Sequence, residues 1–316
     1  MKGFICILFS FLCLSLSSQD QALQRLLDSI QNESNYPGIV FSYVNRDGGV
    51  NAVASGWADV EKSEKMTPEH KLHGGSTGKT VVSTLTMRLI EKGMLSTEDK
   101  VEDHLGFNEW YVRIPNHKEI TIKHLLQHTS GIERYEFKEA FLSELKKDAD
   151  RIWTPGELVH FVLDDEPPFE AGKGFTYSDT NYILLGMIIE KIAGEKFYKL
   201  ANDEVIEPLG VSSFTSTDTR KIDKMAQGYY EANSEYALGF ESPFLKKGIA
   251  KNNMQFEWTG GGYAYATSDY ARLLKKVFEG EAYDREILKL VHDYVQAPEI
   301  GDQAINLWSN CTMHRF

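Results

Sequence analysis

The chain has 316 residues, with 34 Lys+Arg against 46 Asp+Glu and a formal net charge of −12. At 42% hydrophobic, 12% aromatic and 25% charged, the composition excludes a disordered or collagen-like chain. The surplus of acid excludes a protein that grips nucleic-acid phosphates, which takes a basic face.

Lys2, an apolar run from Phe4 to Leu16 and the small residues Ser17 and Ser18 have the plan of a secretory signal. The run is shorter than the ~20 residues needed to span a bilayer. Residues 1–18 are therefore expected to be a signal peptide. Residues 19–316 then form one exported domain, periplasmic or secreted, with no stable membrane span. Cys13 follows Leu12 rather than the small residue usual before a lipid-modified cysteine. Cys6 and Cys13 leave with the signal, and Cys311 alone has no internal disulfide partner.

Leu23, Leu26, Leu27 and Ile30 trace one stripe of a helix. Ile39 to Val44 and Val50 to Ala54, on either side of Asp47-Gly48-Gly49, predict a hairpin. The stretch from Ser76 to Gly93 reads as a helix with Val82, Leu85, Leu89 and Ile90 inward. Thr154-Pro155-Gly156-Glu157 has capping-box spacing with Pro in first helical position. An apolar helix runs through Tyr182 to Glu190, started by Asp179 or Thr180 and stopping near Gly194. Ser268 is expected to cap a helix carrying Leu273, Leu274 and Val277, and Ile287 to Val295 to form another. With no repeat or linker, the simplest architecture is one α/β domain with a large helical insertion.

Chemistry concentrates in His73-Gly74-Gly75-Ser76-Thr77-Gly78-Lys79-Thr80. A phosphate loop needs Gly where His73 stands and an apolar strand where Pro68-Glu69-His70-Lys71 stands, so that reading fails. Ser-x-x-Lys at a helix start is the alternative. Three helical residues turn a side chain by about 300°, which brings Ser76 and Lys79 to one face. A serine hydroxyl becomes a nucleophile when a neighbouring base takes its proton, and a lysine of lowered pKa does this. Tyr177, in Phe175-Thr176-Tyr177-Ser178-Asp179, is a second proton carrier if its loop lies beside them, its phenol ionising more readily next to an ammonium. The bland reading, a packing aromatic before a helix cap, is locally the stronger. His124 and His128 stand at i, i+4, but Leu125 replaces the Glu of a zinc-protease motif, so no metal or other cofactor is expected.

Taken together, Ser76-Thr77-Gly78-Lys79 and Tyr177-Ser178-Asp179 resemble the first two motifs of the serine β-lactamase and penicillin-binding family. The Tyr-led second motif resembles its class C, D-alanyl-D-alanine carboxypeptidase and esterase branch. Ile120 to Ile132 (with His128-Thr129-Ser130-Gly131), Glu207-Pro208-Leu209-Gly210-Val211 and Gly260-Gly261-Gly262-Tyr263 extend the resemblance in order. It implies an antiparallel sheet flanked by helices with a large helical subdomain. It also implies an exported serine hydrolase that acylates Ser76 with an amide, β-lactam or ester, its substrate a small molecule or peptide. Lys79 would be the proton partner and Tyr177 the second base. Asp179 would contact substrate, standing where the family usually has Asn, and so replaces a donor with a charged acceptor that Lys79 can pair with. The family's third motif, Lys or His, any residue, then Gly, has no match after Asp269. This implies missing C-terminal strands, an exposed sheet edge and, as the second reading, a truncated, inactive member; a frameshift, a premature stop or a strongly divergent terminus would each explain the departure.

Overall fold

The hairpin forms where alternation and the Gly-rich turn put it. The computed structural model describes residues 18–230, 242–297, 303–306 and 313–314. Apart from Ser18, the expected signal lies outside these residues, as do Cys6, Cys13 and Cys311. Helix α1 (Ser18–Glu33) lies on the hairpin of β1 (Gly38–Val44) and β2 (Val50–Asp59). Gly48 takes φ 87° in the turn that brings Val44 opposite Val50. The stripe of α1 is only half covered: Leu27 is buried, whereas Leu26 and Ile30 are exposed. The short β3 (Glu64–Lys65) extends the sheet beyond β2 and leaves β1 at an edge with Phe41 exposed.

The chain then passes through β4 (Leu72–His73) into α2 (Lys79–Glu91), α3 (Val101–Leu105), α4 (Ile122–Leu126), α5 (Glu139–Lys147) and α6 (Pro155–Val159). Thr154 caps α6 as its spacing predicts: its hydroxyl accepts from the Glu157 N–H at 3.3 Å, and its own N–H donates to Glu157 at 2.7 Å. Helix α7 (Asp179–Ala193) is the core of this region. It is apolar nearly all round, packs against α2, α4 and α6, and ends at Gly194 with φ 67°. Its N-cap position is Ser178 rather than Asp179 or Thr180, and the Ser178 hydroxyl donates to the Glu133 carbonyl at 2.9 Å. Asp179 is thereby released from capping to enter the site.

After α8 (Phe197–Ala201) come β5 (Thr215–Ser216), the hairpin β6 (Leu245–Lys246) and β7 (Ile249–Ala250), and β8 (Tyr263–Tyr265), which pairs with both β4 and β5. Helix α9 (Thr267–Phe278) packs on β1 with Leu273 and Val277 buried. Its N-cap is Ala266, one residue beyond extended β8, so Ser268 sits inside the first turn. Helix α10 (Arg285–Val291) is capped by Asp284, whose carboxylate accepts from Glu286 and Ile287 at 3.0 Å. It stops four residues before the expected end, where the chain becomes β9 (Tyr294–Ala297). With β10 (Gln303–Asn306) and β11 (Met313–His314), β9 makes a small antiparallel sheet of order β11-β10-β9. C-terminal strands therefore exist, but among the described residues they pair with one another and not with β1. Among the described residues, no helix is long and apolar enough to cross a membrane.

Candidate active site

Lys79 is fully buried at the start of α2, and Ser76 is exposed in the turn before it. That turn, Gly75–Gly78, is a 3-10 turn rather than α-helix, and Gly75 enters it with φ 51°. Side chains three residues apart eclipse in a 3-10 turn, which aligns Ser76 and Lys79 more closely than an α-helix would. The lysine Nζ donates to Ser76 Oγ at 3.3 Å. It also donates to Asp179 Oδ1 from α7 and to the Gly260 carbonyl. An ammonium has three N–H donors, and these three acceptors share them with the Tyr177 oxygen.

Gly260 belongs to a segment, Met254–Gly260 and the two glycines after it, that presses against the Gly75–Gly78 turn. A Cβ on Gly78 would stand 2.5 Å from the Gly261 carbonyl oxygen, and one on Gly261 would overlap the Gly75 carbonyl. The glycines permit two backbones to meet where a side chain would hold them apart.

Tyr177 hydrogen-bonds with both Lys79 and Ser76, and its ring centroid is 5.1 Å from the Lys79 nitrogen. His128 sets this loop. Its ring stacks between Tyr177, at 4.3 Å, and Tyr182, at 5.3 Å. Its carbonyl accepts from the Thr176 N–H at 3.0 Å, and its Nδ1 accepts from the Ser178 N–H at 3.1 Å. Both neighbours of Tyr177 are thus tied to one histidine. His124 serves elsewhere, its Nδ1 accepting from the Thr121 N–H at the start of α4 at 3.2 Å. Among the described residues no group of three or more acids, histidines or cysteines is arranged to hold a metal ion.

Asp179 is buried, and its second oxygen accepts from Arg134 Nη2 at 3.2 Å. Arg134 also binds Glu136 Oε1 through Nε at 3.0 Å and Nη2 at 2.8 Å, and lies over the Tyr177 ring at 5.0 Å. These groups face a cavity of about 250 Å³ beside Ser76, walled also by Phe137, Phe256 and Glu257. Glu257 pairs with His73 at 3.2 Å. The cavity therefore carries groups of both signs on partly apolar walls, with the serine hydroxyl at its edge.

Electrostatics differ from the sequence expectation. Burial, the largest influence, works against the Lys79 ammonium, but the Asp179 charge together with Tyr177 and the hydrogen bonds to both holds the pKa above the ordinary 10.5. Burial likewise opposes the Asp179 carboxylate, yet Lys79, the hydrogen bond with Glu136 and Arg134 hold it well below 3.8. At Tyr177 the enclosing protein and the Asp179 charge raise the phenol above 10.0, although Lys79 and Ser76 pull it down. The lysine does ease ionisation of the phenol, as expected, but it is outweighed. In the resting site Lys79 is a cation and Tyr177 a neutral phenol. The four residues singled out from sequence, Ser76, Lys79, Tyr177 and Asp179, stand in one cluster. Sequence reasoning missed Arg134 and Glu136, and it named Gly260 within a glycine block without giving its carbonyl a role. The charges of Glu133-Arg134-Tyr135-Glu136 are the signal that could have pointed to the first two.

The beta-lactamase family model matches residues 23–307. A penicillin-binding protein of Bacillus subtilis is 28% identical over 222 residues, which are 67% of this chain and 46% of that protein. Protein flp of Staphylococcus aureus is 25% identical over 64% of this chain and 40% of its own length. The chain thus spans less than half the length of these curated relatives. Among solved structures, a D-stereospecific amidohydrolase from Streptomyces superposes with a TM-score of 0.75 at 23% identity, covering 92% of this chain and 82% of that one. An octameric penicillin-binding protein homologue from Pyrococcus abyssi gives 0.71 at 25% identity, covering 91% and 64%. The architecture shared with these structures is the β-lactamase/transpeptidase-like fold.

Proposed function

This chain belongs to the beta-lactamase family, a family of hydrolases, and on that footing we propose that it is a serine hydrolase acylated on Ser76 by an amide, β-lactam or ester. One observation carries the reading: the exposed Ser76 hydroxyl is 3.3 Å from a buried lysine amine, with the Tyr177 phenol hydrogen-bonded to both. In the reaction Ser76 Oγ attacks the substrate carbonyl while its proton passes to the Lys79–Tyr177 pair. The same pair returns a proton to the leaving amine or alcohol as the tetrahedral intermediate collapses to the acyl-enzyme. Water then attacks the ester as the pair takes its proton, and Ser76 leaves with that proton when the second tetrahedral intermediate collapses to the free acid. For the first transfer Lys79 must be a neutral amine, so its ammonium must first pass a proton to Asp179 or to solvent.

That requirement favours a second reading, a catalytically impaired member of the family, because the Asp179 carboxylate opposes the step. One experiment separates the two. The purified, folded chain is expected to label with a fluorophosphonate or a fluorescent penicillin, and Ser76→Ala is expected to lose the label entirely. Label persisting in Ser76→Ala removes the assignment of the nucleophile, and a folded wild type that takes no label from either probe supports the impaired reading.

We further infer that residues 1–18 direct export, from the Lys2 start and the apolar run to Leu16. Cell fractionation of the full chain is expected to recover a shortened product outside the cytoplasm. Full-length protein held in the cytoplasm would overturn the inference.

A further inference from the structure

Two carboxyl groups in the site are served by one guanidinium nitrogen: Arg134 Nη2 is 2.8 Å from Glu136 Oε1 and 3.2 Å from Asp179 Oδ2. Glu136 and Asp179 are themselves in hydrogen-bond contact, and both are buried. Glu136 Oε2 is enclosed, with no N–H or O–H of the described residues donating to it. A carboxylate oxygen without a donor is a poor arrangement in a buried site, whereas a carboxylic acid needs only an acceptor for its own proton, and Asp179 is one. Two adjoining carboxyl groups in low dielectric do not both ionise, so the pair holds one proton. Asp179 takes the charge, because Lys79 and Arg134 both donate to it, and Glu136 keeps the proton.

We propose that Glu136 is a positioning residue that shares one proton with Asp179, and that losing this proton prevents the Lys79 ammonium from releasing its own. The groups facing it are Arg134 and Tyr135 from its own segment, Asp179 at the head of α7 with Lys79 behind it, and Glu257 across the cavity. Burial and the neighbouring Asp179 charge hold the Glu136 acid well above the ordinary carboxylate range, with Arg134 opposing them. While Glu136 is protonated, raising the pH takes the next proton from Lys79 and frees the amine that Ser76 needs. Once Glu136 loses its proton first, a second anion stands against the Lys79–Asp179 pair. The states with a neutral lysine and with an ionised Glu136 then hold equal numbers of protons, so further alkali no longer favours the useful one.

This proposal rests on the acyl-enzyme reading for its kinetic arm, where acylation by the fluorophosphonate is followed as a function of pH. In the wild type the rate is expected to climb with pH and then flatten. In Glu136→Gln, which keeps a donor but no titrating proton, it is expected to keep climbing, so the ratio of the two grows about tenfold per pH unit beyond the wild-type plateau. Equal profiles would overturn the proposal. The second arm needs no activity: carbon-13 NMR of labelled glutamate carboxyls should show one neutral acid at neutral pH, absent from Glu136→Gln. A spectrum in which every glutamate is ionised there would overturn the proposal even if the chain proved inert. Failure to label the wild type, by contrast, counts against the hydrolase reading alone.

Discussion

Replacing Asp179 by Asn should speed acylation of Ser76 at neutral pH while making the protein less stable. The rate effect follows from the charges on Lys79. Burial disfavours the ammonium and is the largest single influence on it, and it is outweighed only because the Asp179 carboxylate, with Tyr177, favours the cation. With an amide there, burial governs, and the lysine pKa falls from above its ordinary value to below it. Each unit of that fall raises the neutral-amine fraction about tenfold, so a gain of about 10- to 100-fold in acylation rate is expected. Stability moves the other way. Asp→Asn breaks a buried ion pair and removes one of Arg134's partners, which costs about 3 kcal/mol when one side of such a pair is left behind.

The pH dependence of that cost has a definite sign. Asp179 has a folded pKa depressed below 3.8, so its contribution is fully present above the ordinary carboxylate range and is lost as the pH falls from that range down through the depressed folded pKa. The stability gap between wild type and Asp179→Asn should therefore close in acid. Acylation rates across pH and denaturant unfolding at two pH values check both halves. A folded Asp179→Asn protein that acylates more slowly than wild type would mean that the Asp179 carboxylate is needed to accept the Lys79 proton, and the inhibitory role would have to be dropped.

How much of this was legible beforehand depended on whether partners were close in sequence. Ser76 and Lys79 are three residues apart, and helical geometry alone predicts that they meet. Tyr177 lies about a hundred residues downstream, where local chemistry favoured an ordinary packing aromatic, and only the ordered resemblance of several blocks brought it to the site. Arg134 and Glu136 look like solvated charges of a turn. What draws them into the candidate site is the arrival of Asp179 from the head of a buried helix, which no spacing rule encodes. Beyond its i, i+4 spacing from His124 and its place in one resembling block, His128 has no sequence signal, and its part emerges only in the fold, where it fixes both neighbours of Tyr177.

The misplaced element ends have similar causes. Ser268 is a good capping residue, yet the helix starts where the extended backbone of β8 stops, at Ala266, so register with a distant strand overrode local preference. The pattern from Ile287 to Val295 suits either a helix or a strand at its far end, and Tyr294 and Val295 follow their β preference once α10 closes. The half-exposed stripe of α1 shows the limit of periodicity: it gives the orientation of a helix and does not say how much of the covering surface exists.

Gly261→Ala is the substitution expected to do most harm per atom added. Gly261 adopts φ 144°, which side chains rarely take, and an added Cβ would overlap the Gly75 carbonyl and stand 3.0 Å from Ser76 Cα. These are backbone neighbours with no rotamer to give. Relief therefore requires moving the Gly75–Gly78 turn away from the Trp258–Gly262 segment. Strained backbone of this kind costs about 1–3 kcal/mol before the overlap is counted, so a loss of about 3 kcal/mol or more is expected. The Gly260 carbonyl moves with its neighbour, and Lys79 loses one of the acceptors that hold it. A displacement near 1 Å at a reacting group costs about 10²-fold in rate, so acylation should fall at least that far in whatever fraction folds. Gly194→Ala is the control, since Gly194 has φ 67° but open space where a Cβ would go. It should cost only about 1 kcal/mol of conformational strain and leave the acylation rate unaltered. Thermal unfolding and labelling rates for the two variants separate the effects. If Gly261→Ala resembled Gly194→Ala in both, the close approach of the two glycine-rich segments would not be what holds Ser76 against Lys79.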